Sequence, residues 1–238
     1  MSTLRIGLLG GTFDPIHNGH LDLADAADKA LNLTRIHVVP AKIPPHRAEP
    51  LASPFQRFAM VVLAVGKRPS WRASDLELRV DEPSYTSTTL ARFHERGYDR
   101  HDLFFIIGAD AFVEIHTWHE YPKVLSMAHF VVVSRPGTSV DQLPYRLPNL
   151  KGRMVRPPVD DIPREGETSI FLVNAPTADV SGNAIRKKCE AGESIDGLMP
   201  ALVQQYIEQH GVYGPRFPGR RASDRRPPSP AGPLHGRE

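Results

Sequence analysis

The chain has 238 residues, 40% of them hydrophobic, which permits one large globular domain or two small ones. Its one cysteine, Cys189, excludes an intrachain disulfide and a cysteine-based zinc site, and it fits a reducing compartment. The first apolar run is too short for a signal peptide, and no stretch has the length of a membrane span. We therefore predict a cytoplasmic protein with no membrane partner.

The formal net charge of +2 is unevenly distributed along the chain. Six arginines and two acids follow position 214, so residues 215–238 carry +4 and the remainder carries −2. A non-specific nucleic-acid binder has a basic face on its fold. We therefore predict no nucleic-acid partner. The segment 215–238 is rich in Pro and Arg and has no apolar period, so it is predicted to be a disordered tail.

The first predicted element is a strand over residues 4–9, which leads into Gly-Gly-Thr-Phe-Asp-Pro-Ile-His-Asn-Gly-His at 10–20. Gly10 and Gly11 lack a Cβ, so the backbone can turn sharply there and approach a ligand closely. An apolar repeat after Asn18 predicts a helix that begins near Gly19, with its positive dipole end facing the turn. This segment predicts polyphosphate binding.

His17 and His20 are three residues apart across this helix start, so both imidazoles can reach one site and donate to phosphate oxygens. Metal binding is the rival interpretation, with Asp14 nearby. Because zinc needs a third and usually a fourth ligand, we predict no metal site. A role as a buried core histidine stays open for either residue.

Strands and helices alternate along the rest of the chain. Apolar runs predict strands at 36–39, 103–107, 130–133 and 170–173, and helices are predicted at 54–65, 85–95, 109–115, 183–191 and 200–209. This alternation predicts an α/β fold: a Rossmann-like, doubly wound, mainly parallel sheet flanked by helices, with a small C-terminal helical part, in one domain over 1–214. Residues 135–168 contain six prolines and predict an irregular insertion, either a surface excursion or a functional loop.

Two more segments follow predicted strands. Gly108-Ala109-Asp110 places a carboxylate where ribose hydroxyls can donate to it, although Asp is also an ordinary helix cap. The segment from Ser181 to Arg186 combines a hydroxyl, a helix start and a guanidinium, which predicts a second phosphate site or a simple capped helix. Two such sites together predict a nucleoside triphosphate whose phosphates are held across both.

Two further segments have open interpretations. Trp118 lies in a polar segment, where its indole offers either a stacking face for a planar ring or ordinary packing. Lys42 and Arg47 lie on a proline-stiffened loop after the second strand, where they bind an anionic substrate or remain solvated.

Together these segments resemble the nucleotidyltransferases with a Gly-x-Phe-x-Pro-x-His-x-Gly-His signature, and within them the bacterial nicotinate-nucleotide adenylyltransferases. The motifs at 44–47, 83–86, 106–110, 117–121 and 181–186 narrow the resemblance, which covers residues 4–213. It implies that ATP and nicotinate mononucleotide give deamido-NAD and pyrophosphate. The acceptor phosphate would attack the α-phosphate in line, without a covalent enzyme intermediate.

The resemblance also implies roles for individual residues. ATP would be bound by Gly10, Gly11, Thr12, Phe13, His17, Gly19, His20, Gly108, Asp110, Ser181, Asn183, Ile185 and Arg186. The catalytic residues would be His17, His20 and Arg186, with His20 at the transition state. The mononucleotide would be bound by Thr12, Lys42, Arg47, Thr86, Trp118 and His119. Mg²⁺ would be carried by the ATP phosphates, and association into homo-oligomers stays open.

The chain departs from the family pattern at three places. It has Ser-Gly-Asn at 181–183 where the family usually has Ser-Ser-Thr, and the loss of two hydroxyls predicts weaker ATP binding. His119 and Lys42 also differ from common family residues, so the choice between nicotinate and nicotinamide stays open. Two alternative functions are a transferase for another phosphorylated acceptor and a non-catalytic nucleotide-sensing module.

Overall fold

A computed structural model describes residues 4–45, 49–159, 162 and 164–214. These residues form a seven-stranded, all-parallel sheet in the order β3-β2-β1-β4-β5-β7-β6. The strands are β1 (Ile6–Gly11), β2 (Arg35–Pro40), β3 (Trp71–Ala73), β4 (Leu103–Gly108), β5 (His129–Val133), β6 (Met154–Val155) and β7 (Ile170–Val173). The predicted tail at 215–238 lies outside the described residues.

Helices cover both faces of the sheet. They are α1 (Asn18–Leu31), α2 (Pro54–Val65), α3 (Thr86–Glu95), α4 (Ala109–Phe112), α5 (Leu143–Arg146), α6 (Gly182–Ala191) and α7 (Ala201–His210). Apolar residues of α1, α2, α6 and α7 pack on one face, and those of α3, α4 and α5 pack on the other. Every residue of β4 and β5 is buried, as expected for central strands of a parallel sheet. The Rossmann-like, doubly wound fold is confirmed.

The strand order reverses between β1 and β4, because the chain first moves outward from β1 to β2 and β3 and then returns to β4. In open α/β sheets such a switch point leaves a crevice beyond the carboxyl ends of the strands. The segments that begin at Gly10 and at Gly108 follow these two strands. The fold therefore brings together two motifs that are about a hundred residues apart in sequence.

The structure corrects three details of the predicted elements. The strands β3 and β6 were not predicted, since they have only three and two residues and depend on pairing with β2 and β7. Helix α4 ends at Phe112, and a separate 3-10 turn covers Ile115–Thr117.

The segment 135–168 is not irregular throughout, because it contains α5, β6 and the 3-10 helix Pro148–Arg153. Its residues Val140, Leu143 and Leu150 are buried against the sheet, and this burial stabilises short elements that the sequence period does not show. Among the described residues, none of the helices is both long and apolar enough to cross a membrane.

Candidate active site

A cavity of about 760 Å³ opens at the carboxyl ends of β1 and β4. Its wall includes most of the residues predicted to bind ATP or the acceptor: Gly10, Gly11, Thr12, Phe13, His17, His20, Thr86, Gly108, Asp110, Trp118, His119, Ser181, Asn183 and Arg186. They come from the ends of β1 and β4, from the starts of α1, α3, α4 and α6, and from two loops. Its volume lies within the range of ligand-binding pockets.

The turn after β1 has a conformation that requires glycine at position 11. Phe13 has a φ of 51°, and its buried ring folds back toward Gly11. A Cβ on Gly11 would lie 2.9 Å from this ring, so a side chain there would force the ring to move. The Phe13 ring also packs edge-on against His20, with 5.0 Å between ring centroids. Phe13 thus shapes the turn from within the core.

His17 and His20 are stacked, with ring centroids 3.7 Å apart. Burial, followed by the charge of Arg135, lowers the pKa of His17 to about 4, so its imidazole is neutral at pH 7. The backbone N–H of His17 donates to Nδ1 of His20 at 3.3 Å. Because Nδ1 accepts this bond, the ring N–H that His20 can donate is at Nε2. The pair thus provides a hydrogen-bond donor at the cavity wall.

The start of α6 packs directly against the turn after β1. Ser181 caps this helix, and its Oγ accepts from the backbone N–H of Ala184 at 3.2 Å. Nη1 of Arg186 donates to the carbonyl of Asp14 at 2.5 Å and lies 3.6 Å from the Asp14 carboxylate. A Cβ on Gly182 would lie 2.9 Å from the same carbonyl, so glycine permits this approach. The two predicted phosphate sites therefore form one surface.

Arg135 is a cavity residue that sequence reasoning did not select. Its guanidinium donates to the carbonyl of Gly19 at 3.1 Å and to that of Val180 at 3.4 Å, which places it between the starts of α1 and α6. The available signal was its position just beyond β5, because that end of a parallel strand opens onto the ligand crevice. Arg135 adds positive charge between the two helix starts.

Asp110 lies in the first turn of α4, exposed at the cavity wall. Gly108, the last residue of β4, lies against the stem of Arg135, so the missing Cβ leaves room for that side chain. Asp110 is therefore placed to accept hydrogen bonds from a ligand that enters between β1 and β4.

At another part of the cavity wall, Trp118 is partly buried and its indole packs edge-on against Phe105, with centroids 6.1 Å apart. His119 stacks on Tyr85 with centroids 4.2 Å apart, and its Nδ1 lies 3.1 Å from Oγ of Ser87. Thr86 begins α3 beside them. These residues form an aromatic wall that fits a planar ring.

Four residues that were predicted to belong to the site do not line the cavity. Nζ of Lys42 donates instead to the exposed carboxylate of Asp81 at 2.6 Å. Ile185 is fully buried, and Gly19 is buried beneath Arg135, so neither faces a ligand directly. Arg47 lies outside the described residues.

Asp14, which was considered as a possible metal ligand, has other partners. Its carboxylate accepts from the N–H groups of Leu51 and Ala52 at 3.0 and 3.1 Å and from the hydroxyl of Tyr213 at 2.7 Å. Across the described ranges there is no group of three or more His, Cys, Asp or Glu side chains that could hold a metal ion. Asp14 therefore connects the turn after β1 to the region before α2 and to Tyr213, which follows α7.

Comparison with known proteins identifies relatives over most of the chain. Residues 8–188 match the family described as cytidylyltransferase-like. A nicotinate-nucleotide adenylyltransferase of Salmonella typhimurium is 35% identical over 206 residues, which cover 87% of this chain and 97% of the relative. A probable nicotinate-nucleotide adenylyltransferase of Cronobacter sakazakii is 38% identical over 207 residues, which cover 87% of this chain and 94% of the relative.

Solved structures show the same fold at low sequence identity. The nicotinic acid mononucleotide adenylyltransferase of Plasmodium falciparum, complexed with NaAD, aligns with a TM-score of 0.67 at 17% identity, covering 88% of this chain and 97% of that chain. A putative nicotinate-nucleotide adenylyltransferase of Vibrio parahaemolyticus aligns with a TM-score of 0.56 at 15% identity, covering 88% and 95%.

Proposed function

This chain belongs to the cytidylyltransferase-like family and, within it, to the nicotinate-nucleotide adenylyltransferases, and from this premise we propose that it transfers the adenylyl group of ATP to nicotinate mononucleotide. The products are deamido-NAD and pyrophosphate. The reaction is a step of NAD biosynthesis.

One observation carries this proposal: the starts of α1 and α6 open onto the same cavity, with Arg135 between them and Arg186 on the second helix. Each helix start presents backbone N–H groups and a positive dipole end to an anion. A triphosphate has enough charge and length to use both. The aromatic wall at Trp118 and His119 leaves room for a second, planar group in the same cavity.

In the proposed reaction, a phosphate oxygen of the mononucleotide attacks the α-phosphorus of ATP in line. The new P–O bond forms as the bond from the α-phosphorus to the bridging oxygen breaks, and pyrophosphate leaves with the electron pair. Positioning of two anions and stabilisation of the developing charge supply most of the rate. No enzyme nucleophile is required.

His20 donates from Nε2 to an α-phosphate oxygen, and neutral His17 holds it in place by stacking and through its backbone N–H. Arg186 and Ser181 bind the departing pyrophosphate, with Arg135 as an additional cation. Asp110 accepts from the adenosine ribose. Asn183 replaces a family hydroxyl and donates through its amide.

Mg²⁺ neutralises phosphate charge when it is bound. Because the described side chains near His17 and His20 include no cluster of metal ligands, the ATP phosphates are proposed to carry this ion. The side chains of the site bind the phosphates themselves.

The nicotinate ring is proposed to stack on Trp118, with Thr86 and His119 at its edge and Thr12 near the mononucleotide phosphate. A role of Arg47 at this phosphate stays a prediction, and Lys42 would first have to leave Asp81. A cytoplasmic location and the absence of nucleic-acid partners are part of the same proposal, and association into homo-oligomers stays open.

The test is pyrophosphate release from ATP by the full chain with nicotinate mononucleotide, nicotinamide mononucleotide or phosphopantetheine as acceptor. We expect the highest kcat/KM with nicotinate mononucleotide. Release with phosphopantetheine alone would show that the role of Trp118 is wrong. No release with any acceptor, together with binding of ATP, would favour a nucleotide-sensing module.

A further inference from the structure

Arg57, on α2, is a buried cation that the proposed reaction does not use. Its side chain is 0% exposed, and it is among the largest fully buried side chains of the described residues. Arginine is rarely buried completely unless an acid is paired with it. Here the described hydrogen bonds of the guanidinium all go to backbone carbonyls. Its charge is compensated by peptide dipoles and, at longer range, by Asp14 and Glu77.

Three of the four carbonyls that accept from Arg57 lie just beyond the ends of two strands, and the fourth lies before α2. Nη1 donates at 2.6 Å to Thr12, which follows β1, and at 2.6 Å to Ala41, which follows β2. Nη2 donates to the carbonyl of Lys42 at 3.2 Å, and Nε donates to that of Ala52 at 3.2 Å. One guanidinium therefore holds the carboxyl ends of β1 and β2 together behind the cavity wall.

A peptide group is planar, so fixing its carbonyl also fixes the N–H on the opposite side. With the Thr12 carbonyl held by Arg57, the N–H of Phe13 points away from the guanidinium, and both residues line the cavity. Phe13 has a left-handed φ of 51°, which is uncommon for a bulky residue, so surrounding contacts must hold this turn in place. The orientation of the Thr12–Phe13 peptide thus depends on Arg57.

The same bonds extend to the acceptor side of the cavity. The N–H groups of Lys42 and Ile43, whose preceding carbonyls are held by Arg57, both donate to Oγ of Ser84, at 3.0 and 3.4 Å. Ser84 lies on the cavity wall, two residues before Thr86. Arg57 therefore also orders the loop that carries one side of the aromatic wall.

We propose that Arg57 is a positioning residue for the acceptor mononucleotide: through the Thr12 carbonyl it directs the N–H of Phe13 toward the acceptor phosphate, through the Ala41 and Lys42 carbonyls it fixes the loop bonded to Ser84, and it adds a buried positive charge behind both. The proposal rests on the function proposed above. It assigns Arg57 to the acceptor, because its partners lie on the loops after β1 and β2 and the second of these loops bonds to Ser84. The ATP phosphates are assigned instead to the starts of α1 and α6, His20, Arg135 and Arg186.

Arg153 is a matched control. It is also largely buried, with a side-chain exposure of 16%, and it also donates to backbone carbonyls, those of Leu125 and Thr168, at 2.7 to 3.0 Å. These carbonyls precede β5 and β7, so Arg153 lies at the end of the sheet opposite the cavity. Replacing either arginine removes a comparable set of hydrogen bonds from a guanidinium to backbone carbonyls. Only Arg57 contacts the loops of the site.

The experiment compares Arg57→Met, Arg57→Lys and Arg153→Met in the full chain, by thermal unfolding and by kinetics with each substrate varied in turn. We expect both methionine variants to lose stability, and Arg57→Met alone to raise the KM for nicotinate mononucleotide by about ten-fold or more, while the KM for ATP changes by less than about three-fold. Arg57→Lys keeps the charge and some donors, so its KM should lie between those of the wild type and Arg57→Met. Equal changes for both substrates, or the same kinetics in the two methionine variants, would overturn the proposal.

A second pair of variants covers the case in which Arg57→Met does not fold. Ser84→Ala removes the oxygen that accepts from the Lys42 and Ile43 N–H groups, and Ser139→Ala removes a similar hydroxyl that accepts from the N–H of Asp141 in the 135–168 segment. We expect a raised KM for the mononucleotide in the first variant and an unchanged one in the second. An unchanged KM in Ser84→Ala would count against the proposal.

Failure of the proposed function gives a different result. In that case the wild type releases no pyrophosphate from ATP and nicotinate mononucleotide. Arg57 is then tested by calorimetric titration of nicotinate mononucleotide into the wild type, Arg57→Met and Arg153→Met. Weaker binding in Arg57→Met alone supports its positioning role, and equal binding in all three, or no binding to the wild type, overturns it.

Discussion

At the scale of single residues, the stacked pair His17 and His20 is the chemical centre of the proposed site. The sequence predicted that the two imidazoles would meet, because three residues separate them across a helix start. It did not reveal how the environment of His17 lowers its pKa. The pKa of His17 is lowered by burial and by Arg135, and Arg135 is more than a hundred positions away in sequence. Only the fold brings that charge to the histidine.

His20→Ala is expected to lower kcat by about 10²- to 10³-fold, the usual effect of removing one donor that stabilises transition-state charge. Its fold should be preserved, because His20 is only partly buried. The measurement is steady-state pyrophosphate release together with far-UV circular dichroism. His210→Ala, at the exposed end of α7, is the control and should keep its activity. A kcat within a few-fold of the wild type would exclude His20 from the role.

The hydrogen bond from Tyr213 to Asp14 predicts a second single-residue effect. Tyr213→Phe removes the donor at 2.7 Å from a buried carboxylate oxygen and should lower the free energy of unfolding by about 1–3 kcal/mol. Urea unfolding measures this change. Tyr206→Phe is the control, because Tyr206 is only partly buried and packs beside His210. If both variants lose the same free energy of unfolding, the hydrogen bond from Tyr213 to Asp14 makes no particular contribution to stability.

At the scale of elements, local signals in the sequence mark helix boundaries. Ser53 and Gln56 form a capping box at the start of α2, with Pro54 in its first turn, and Gly192 and Gly211 end α6 and α7 in the left-handed conformation. These signals act within one turn of helix, so the sequence contains all of them. The short strand β6 has no such signal, because only its pairing with β7 makes it a strand.

The close packing of α6 on the turn after β1 predicts a specific effect at Gly182. A Cβ there would lie 2.9 Å from the carbonyl of Asp14, which also accepts from Arg186. Gly182→Ala should therefore push the start of α6 outward, raise the KM for ATP, and cost about 1–3 kcal/mol of stability. Gly152→Ala is the control, since nothing lies within 4 Å of its added Cβ. If the ATP kinetics of Gly182→Ala match those of the wild type, the two phosphate sites do not act as one surface.

At the scale of the whole molecule, three histidines with lowered pKa values predict acid sensitivity. Burial is the main cause that lowers the pKa values of His17, His37 and His129 to about 4, below the value near 6.5 of an unfolded chain. Between these pH values the unfolded state binds more protons than the folded state. Stability should therefore fall as the pH drops from 6.5 toward 4, by up to about 3 kcal/mol per histidine, and should not change from this cause above pH 6.5.

Urea unfolding at pH 7.5, 6 and 5 tests this expectation. Glu77 acts in the opposite sense, because burial raises the pKa of its carboxyl group and the folded state then holds its proton more tightly. The slope of stability against pH is therefore smaller than the sum of the contributions of the three histidines. His37→Leu should flatten the slope by about one proton, since His37 lies away from the cavity wall, edge-on to Phe93. The same slope in this variant would remove His37 from the explanation.

The sequence by itself determined the α/β fold class, most helix bounds and the two glycine-bearing segments that begin the phosphate sites. These features depend on period, caps and turns, which act over a few neighbouring residues. The tertiary structure alone decided that Arg135 lies between two helix starts, that Lys42 pairs with Asp81, and that Arg57 joins two strand ends. The sequence pattern does not identify the partner of a charged side chain. The electrostatic energy of that side chain depends on which carbonyls and charges the fold brings within a few ångströms of it.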